Sequence, residues 1–210
     1  MAIEAVVFDM DGVLIDAKEW HFEALNRALS YFGYSISRAE HLTTFDGLPT
    51  RKKLEILSAE KGLPRGLHGF LSELKQQYTV DQVHLKCKPM FVHEYALSNL
   101  KARGYKLGLG SNSIRSSVEL MMEKSNLRTH LDVMVSNEDV VKSKPYPDIY
   151  LKAAYELGVP PEKCLVVEDN HNGIKAAESA GCHLLVVQNV LDVQLDRLLR
   201  AISHAEETMV

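Results

Sequence analysis

The sequence predicts an α/β protein: a parallel sheet with helices on both faces, and an all-helical block inserted after the first strand. Three observations predict it. Ala5-Val6-Val7-Phe8 is a short unbroken apolar run, as expected of a strand buried on both faces. From about Gly104 onward, short apolar segments alternate with amphipathic ones, the pattern of a parallel sheet with helical crossovers. Between these two regions, residues 16–86 carry helical spacing and no strand pattern.

Composition narrows the class. The chain has 210 residues, 46% hydrophobic and 25% charged, enough for a core in one large domain or two unequal ones. A net charge of −4 gives no electrostatic reason to bind nucleic acid or an anionic membrane. No apolar run approaches the ~20 residues of a membrane span, and no secretion signal is apparent at the N-terminus. Cys87, Cys164 and Cys182 have no metal-ligand spacing. They read as reduced packing thiols, and the expected location is the cytoplasm.

The elements follow in order. After the first strand, Asp16 to Phe32 reads as a helix, with Leu25, Ala28, Leu29 and Phe32 on one face and Gly33 to end it. Thr50 is the expected N-cap of a helix over 51–61, closed by Gly62. Leu67, Phe70, Leu71, Leu74 and Tyr78 mark another helix. A helix over 95–103 ends at Gly104, and a strand over 106–109 leads into Gly110-Ser111-Asn112-Ser113. Helix 118–124, strand 131–135, helix 148–157 and strand 164–167 come next, the last ending in Glu168-Asp169. Helix 174–180 stops at Gly181, strand 184–187 follows, and Leu195, Leu198, Leu199 and Ile202 mark a terminal helix with Asp192 as its expected cap.

In an open parallel sheet, ligands bind beyond the carboxyl ends of the strands. Four such ends carry polar groups here: Asp9 and Asp11; Ser111 and Asn112; the run through Ser136-Asn137 to Lys144; and Glu168-Asp169. Gly12 lets the chain turn sharply after the first pair. Taken singly, each has a simpler explanation. Ser111 and Asn112 suit a turn, Lys144 a solvated surface, and Glu168-Asp169 a helix cap. An Asp-x-Asp-Gly run also begins calcium loops, but an EF-hand would follow a helix and place its glycine later. Jointly, carboxylates, a hydroxyl, an amide and an ammonium suit a hard divalent cation and a phosphate.

Asp9-Met10-Asp11-Gly12-Val13-Leu14, Gly110-Ser111-Asn112-Ser113, Lys144-Pro145-Tyr146-Pro147-Asp148 and Glu168-Asp169-Asn170 occur in the order of the haloacid dehalogenase superfamily. Over its whole length the chain resembles the branch with a helical cap, similar to β-phosphoglucomutase and phosphoglycolate phosphatase-like enzymes. The resemblance implies a Rossmann-like catalytic core, 1–15 and 87–210, and a helical cap, 16–86. It implies Asp9 as nucleophile, forming an aspartyl phosphate, and Asp11 as general acid and base. Ser111, Asn112 and Lys144 would bind the phosphoryl group. Mg2+ would sit on Asp9, the Asp11 carbonyl and Asp169, with Glu168 close by or sharing the site.

The cap bears on the substrate. His21 stands where the mutase branch has a cap histidine, and Arg51, with Lys52 and Lys53 beside it, could supply a cation for the substrate. Ala17 and Pro49-Thr50 depart from the mutase pattern. The expectation is a monomeric, magnesium-dependent phosphomonoesterase for a small phosphorylated metabolite, a sugar phosphate first. A phosphosugar mutase is the alternative and a catalytically silent ligand-binding relative a third reading.

Overall fold

A computed structural model describes residues 2–208. The chain divides into two compact units: residues up to Asp16 with those from Lys88 onward, and Ala17–Cys87.

The first unit is built on a sheet of five parallel strands in the order β3-β2-β1-β4-β5. These are β1 (Ala5–Phe8), β2 (Lys106–Gly110), β3 (Val133–Val135), β4 (Cys164–Glu168) and β5 (His183–Val186). The apolar run that opens the chain is the central strand. Ala5 pairs with Lys106 on one side and Cys164 on the other, and Phe8 with Leu109 and Val167. Every β1 side chain is buried, as a strand covered on both faces requires. Helices α5 (Phe91–Ala102), α6 (Arg115–Lys124), α7 (Asp148–Leu157), α8 (His171–Ala180) and α9 (Leu195–Thr208) flank the sheet. Ala5 and Val7 of β1 pack with Ile149, Tyr150, Ala153 and Ala154 of α7 and with Ala176 and Ala177 of α8. Val6 and Phe8 alternate to the opposite face and are fully buried there.

The second unit is helical: α1 (Lys18–Ser30), α2 (Arg38–Glu40) running into a π turn (His41–Phe45), α3 (Thr50–Lys61) and α4 (His68–Lys86). Ala24, Leu25, Ala28 and Leu29 of α1 share a core with Leu54 and Leu57 of α3 and Leu71 and Tyr78 of α4. These positions recur at helical spacing. Truncating Leu25 or Leu57 to alanine would cost about 2–5 kcal/mol.

Several boundaries differ from those expected. Helix α1 ends at Ser30, because a tight last turn bonds the Phe32 N–H to the Leu29 carbonyl before Gly33 turns at φ +75°. Pro49 takes the N-cap place of α3, and its carbonyl accepts the Lys53 N–H. Thr50 is therefore already helical. Helix α5 starts earlier, at Phe91. Strand β3 is shortened to Val133, because Asp132 turns its carboxylate back to the Leu107 N–H. Asp192 does not cap α9. It closes a 3-10 turn and binds the Gln188 N–H and Arg197, while the Leu198 N–H bonds to the Gln194 carbonyl.

Candidate active site

The central strand delivers Asp9 at its carboxyl end, where the Asp9 N–H still bonds to the Val167 carbonyl of β4. The chain then turns back. Leu14 and Ile15 N–H groups both reach the Met10 carbonyl, and Gly12 adopts φ +95°, a region that favours glycine. Asp11 is carried on that turn. Its Oδ2 accepts a hydrogen bond from the Ser113 hydroxyl at 2.9 Å. The two acids of the first motif thus have different partners, one from the loop after β2 and one from the loop after β3.

Asp9 is 8% exposed, and its Oδ1 accepts from Lys144 Nζ at 2.6 Å. The same ammonium donates to Glu168 Oε1 at 2.7 Å. Lys144 is buried rather than solvated. Its backbone is held by the Asn112 side chain, which accepts from the Lys144 N–H at 3.0 Å and donates to the Lys144 carbonyl at 3.2 Å. The Asn112 side-chain amide is thereby engaged with the lysine loop. Ser111 is buried at the end of β2, with its N–H on the Val135 carbonyl. Its Oγ accepts the Ser113 N–H at 3.0 Å, so the hydroxyl proton remains available to donate.

Charge is unevenly balanced here. Burial, then the neighbouring Glu168 carboxylate, pushes Asp9 well above the usual carboxylate range, and Lys144 opposes this only in part. Burial works against the charge on Lys144, but Asp9 and Glu168 outweigh it and raise the ammonium above its usual value. Oxygens of Asp9, Glu168 and Asp169 lie within 4.8 Å of one another. This gathering of carboxylate oxygens, with Glu168 already bonded to Lys144, is a hard, anionic cluster that could hold a divalent metal ion.

Sequence reasoning gave no role to Ser113, which orients Asp11, or to Tyr150, whose hydroxyl donates to Glu168 Oε1 at 2.6 Å. Ser113 belongs to the polar loop already singled out after β2. Tyr150 carried no such signal, because it lies on the apolar face of α7.

The remaining expected residues lie in the helical unit. The Arg51 side chain is 88% exposed, its Nε 3.3 Å from Glu55, and Lys52 reaches the same glutamate. Lys53, by contrast, is buried. His21 Nδ1 lies 3.1 Å from Nζ of Lys75, a second buried lysine that the sequence did not single out. His41 is buried nearby against the Phe22 ring. Burial, and then Lys53, lower its pKa to about 4.

Residues 6–187 match the haloacid dehalogenase-like hydrolase family. The chain belongs to that family. It is 35% identical over 180 residues to a phosphorylated carbohydrates phosphatase of Thermotoga maritima, covering 85% of this chain and 82% of that one. It is 30% identical over 190 residues to the pyrophosphatase PpaX of Bacillus cereus, covering 86% and 81%. Among solved structures, β-phosphoglucomutase from Clostridium difficile superposes with a TM-score of 0.86 over 98% of this chain and 99% of that one. At 22% identity, that likeness shows the fold. The haloacid dehalogenase-like chain is thus an enzyme of the phosphatase kind, a hydrolase acting on phosphate esters. Among the described residues, no helix is long and apolar enough to cross a membrane.

Proposed function

We propose that the protein is a magnesium-dependent phosphomonoesterase that works through an aspartyl phosphate on Asp9, with a small phosphorylated metabolite, foremost a sugar phosphate, as substrate. The observation that supports this reading is that its two acids are held by different partners. Asp9 is bound by a buried ammonium, while Asp11 is oriented separately by Ser113.

Asp9 attacks phosphorus, and the ester oxygen leaves with a proton from Asp11. Asp11, now a base, takes a proton from water, and that water attacks the phosphorus. The Asp9–phosphoryl bond breaks and inorganic phosphate leaves. Lys144 offsets the repulsion between the Asp9 carboxylate and the incoming anion. Ser111 donates its hydroxyl to a phosphoryl oxygen. Asn112 serves by fixing the Lys144 loop, leaving main-chain groups for the phosphate. Asp9, Asp169 and the Asp11 carbonyl would hold Mg2+, whose charge would offset the negative charge gathered at this rim.

We assign the helical unit the role of the cap that selects substrate and excludes water. Buried Lys53 and Lys75, with His21, support this better than exposed Arg51 does. A phosphosugar mutase, the second reading, would need such cations for the second phosphate of its substrate. A sugar phosphate rests on the T. maritima relative's named substrates. A monomer in the cytoplasm is the simplest working form. The test is phosphate release from a panel of phosphorylated sugars and small acids, with and without Mg2+. Magnesium-dependent release, abolished in Asp9→Asn, is expected. Conversion of a hexose 1-phosphate to its 6-phosphate without net phosphate release would instead select the mutase.

A further inference from the structure

Glu168 is a fully bonded acid of the site. It is 1% exposed and accepts four hydrogen bonds. Oε1 takes Lys144 Nζ at 2.7 Å and the Tyr150 hydroxyl at 2.6 Å. Oε2 takes the N–H groups of Asp169 at 2.9 Å and Asn170 at 3.2 Å. A carboxylate offers about four lone-pair positions, so this one has none to spare. Its task here is to hold other groups in place.

The surroundings are shaped for this arrangement. A Cβ on Gly173, in the first turn of α8, would lie 1.6 Å from Glu168 Oε1. A Cβ on Gly110, at the end of β2, would lie 2.7 Å from Ile149 and 3.2 Å from the Tyr150 ring. Glycine at both positions lets Tyr150 and Glu168 come together. The Tyr150 ring also carries the Lys144 ammonium, whose Nζ lies 4.6 Å from the ring centroid. Burial, and then Glu168, raise the Tyr150 hydroxyl well above its usual pKa, which keeps it a donor.

We infer that Tyr150 is a positioning residue for phosphoryl chemistry: its hydroxyl completes the bonding of Glu168, and through Glu168 it holds Lys144 against Asp9. Without the hydroxyl, Oε1 keeps one partner where it had two. The carboxylate is then free to rotate toward that partner, and Lys144 follows it away from Asp9. The inference rests on the phosphatase reading for its consequence, but not for its geometry.

The test is Tyr150→Phe, which removes one oxygen and keeps the ring. The first readout is the acetylation rate of Lys144 by a water-soluble acylating reagent, followed by peptide mass spectrometry with Lys88 as internal reference. We expect Lys144 to label several-fold faster in Tyr150→Phe. In a Glu168→Gln background the same substitution should add nothing, because the intermediary is gone. The second readout is turnover, with kcat about 10-fold lower and KM within about twofold of wild type. An unchanged labelling rate overturns the inference, as does an equal increase in both backgrounds or an unchanged kcat beside an active wild type. The labelling arm requires no turnover. A wild type that releases no phosphate would therefore sink the phosphatase reading and leave this inference to be decided by labelling.

Discussion

Lys144→Met tests how far one ammonium holds the site together. Methionine keeps an unbranched stem of similar length, so the packing change is small and the charge change is complete. Asp9 at 8% exposure and Glu168 at 1% then lose the cation that bonds them both. Removing one partner of a buried ion pair costs about 3–5 kcal/mol, because the remaining charge stays buried without compensation. That is a large part of the roughly 5–15 kcal/mol that keeps a typical domain folded. The loss should also depend on pH. Asp9 is already held well above the usual carboxylate range by burial and Glu168, and losing Lys144 raises it further. A carboxyl group raised in the folded state stabilises fully below its unfolded pKa, and that stability is lost as pH rises through the folded pKa. The variant should therefore be more stable near about pH 5 than near about pH 8 relative to wild type. Urea unfolding of both proteins at both pH values measures this. Phosphate release should fall by about 10²–10³, as for loss of a preorganised electrostatic partner. A variant that matches wild type in stability at both pH values would refute the reasoning.

Three further outcomes are expected. Ser113→Ala removes the 2.9 Å donor to Asp11 Oδ2 and should lower kcat about 10-fold with little change in KM, measured by steady-state phosphate release. Gly173→Ala sets a Cβ 1.6 Å from Glu168 Oε1. It should cost at least about 2 kcal/mol in urea unfolding, because the carboxylate must leave buried donors. His41, lowered to about 4 by burial and Lys53, is neutral in the folded state. Its contribution is present above its unfolded value of about 6.5 and lost as pH falls through about 4, worth up to about 3 kcal/mol. His41→Leu should flatten the thermal stability of the protein over that range, and an unaltered pH profile would contradict the assignment.

The parts of the fold read directly from the sequence were those where a local pattern and a buried environment coincide. The run Ala5 to Phe8 has no polar residue because β1 is flanked by β2 and β4 and covered on both faces. Amphipathic spacing marked α1, α4 and α9 for the same reason. Thr50 and Asp192 were taken as caps in error because several residues compete for a helix start, and only the backbone path decides among them. The site divided similarly. Asp9, Ser111, Lys144 and Glu168 stand at strand ends, where topology alone gathers them. Tyr150 occupies the apolar face of α7 with Ile149, Ala153, Ala154 and Leu157, so in sequence it is one more core residue. Its hydroxyl acquires meaning only through Glu168, which approaches from a strand 18 residues away in the chain. Lys75 shares a face of α4 with Leu71 and Tyr78, but lysine is so seldom buried that spacing alone did not single it out. Its burial arises from the packing of α1 on α4.

The central claim is that Asp9 itself carries the phosphoryl group. The most direct measurement is peptide mass spectrometry of the Asp11→Asn protein, acid-quenched during turnover of a phosphorylated substrate. With the acid–base group disabled, water activation should slow and the intermediate should persist. One added phosphoryl group, located on Asp9, is expected. Phosphate release with no labelled peptide, or a label on any other residue, would contradict it.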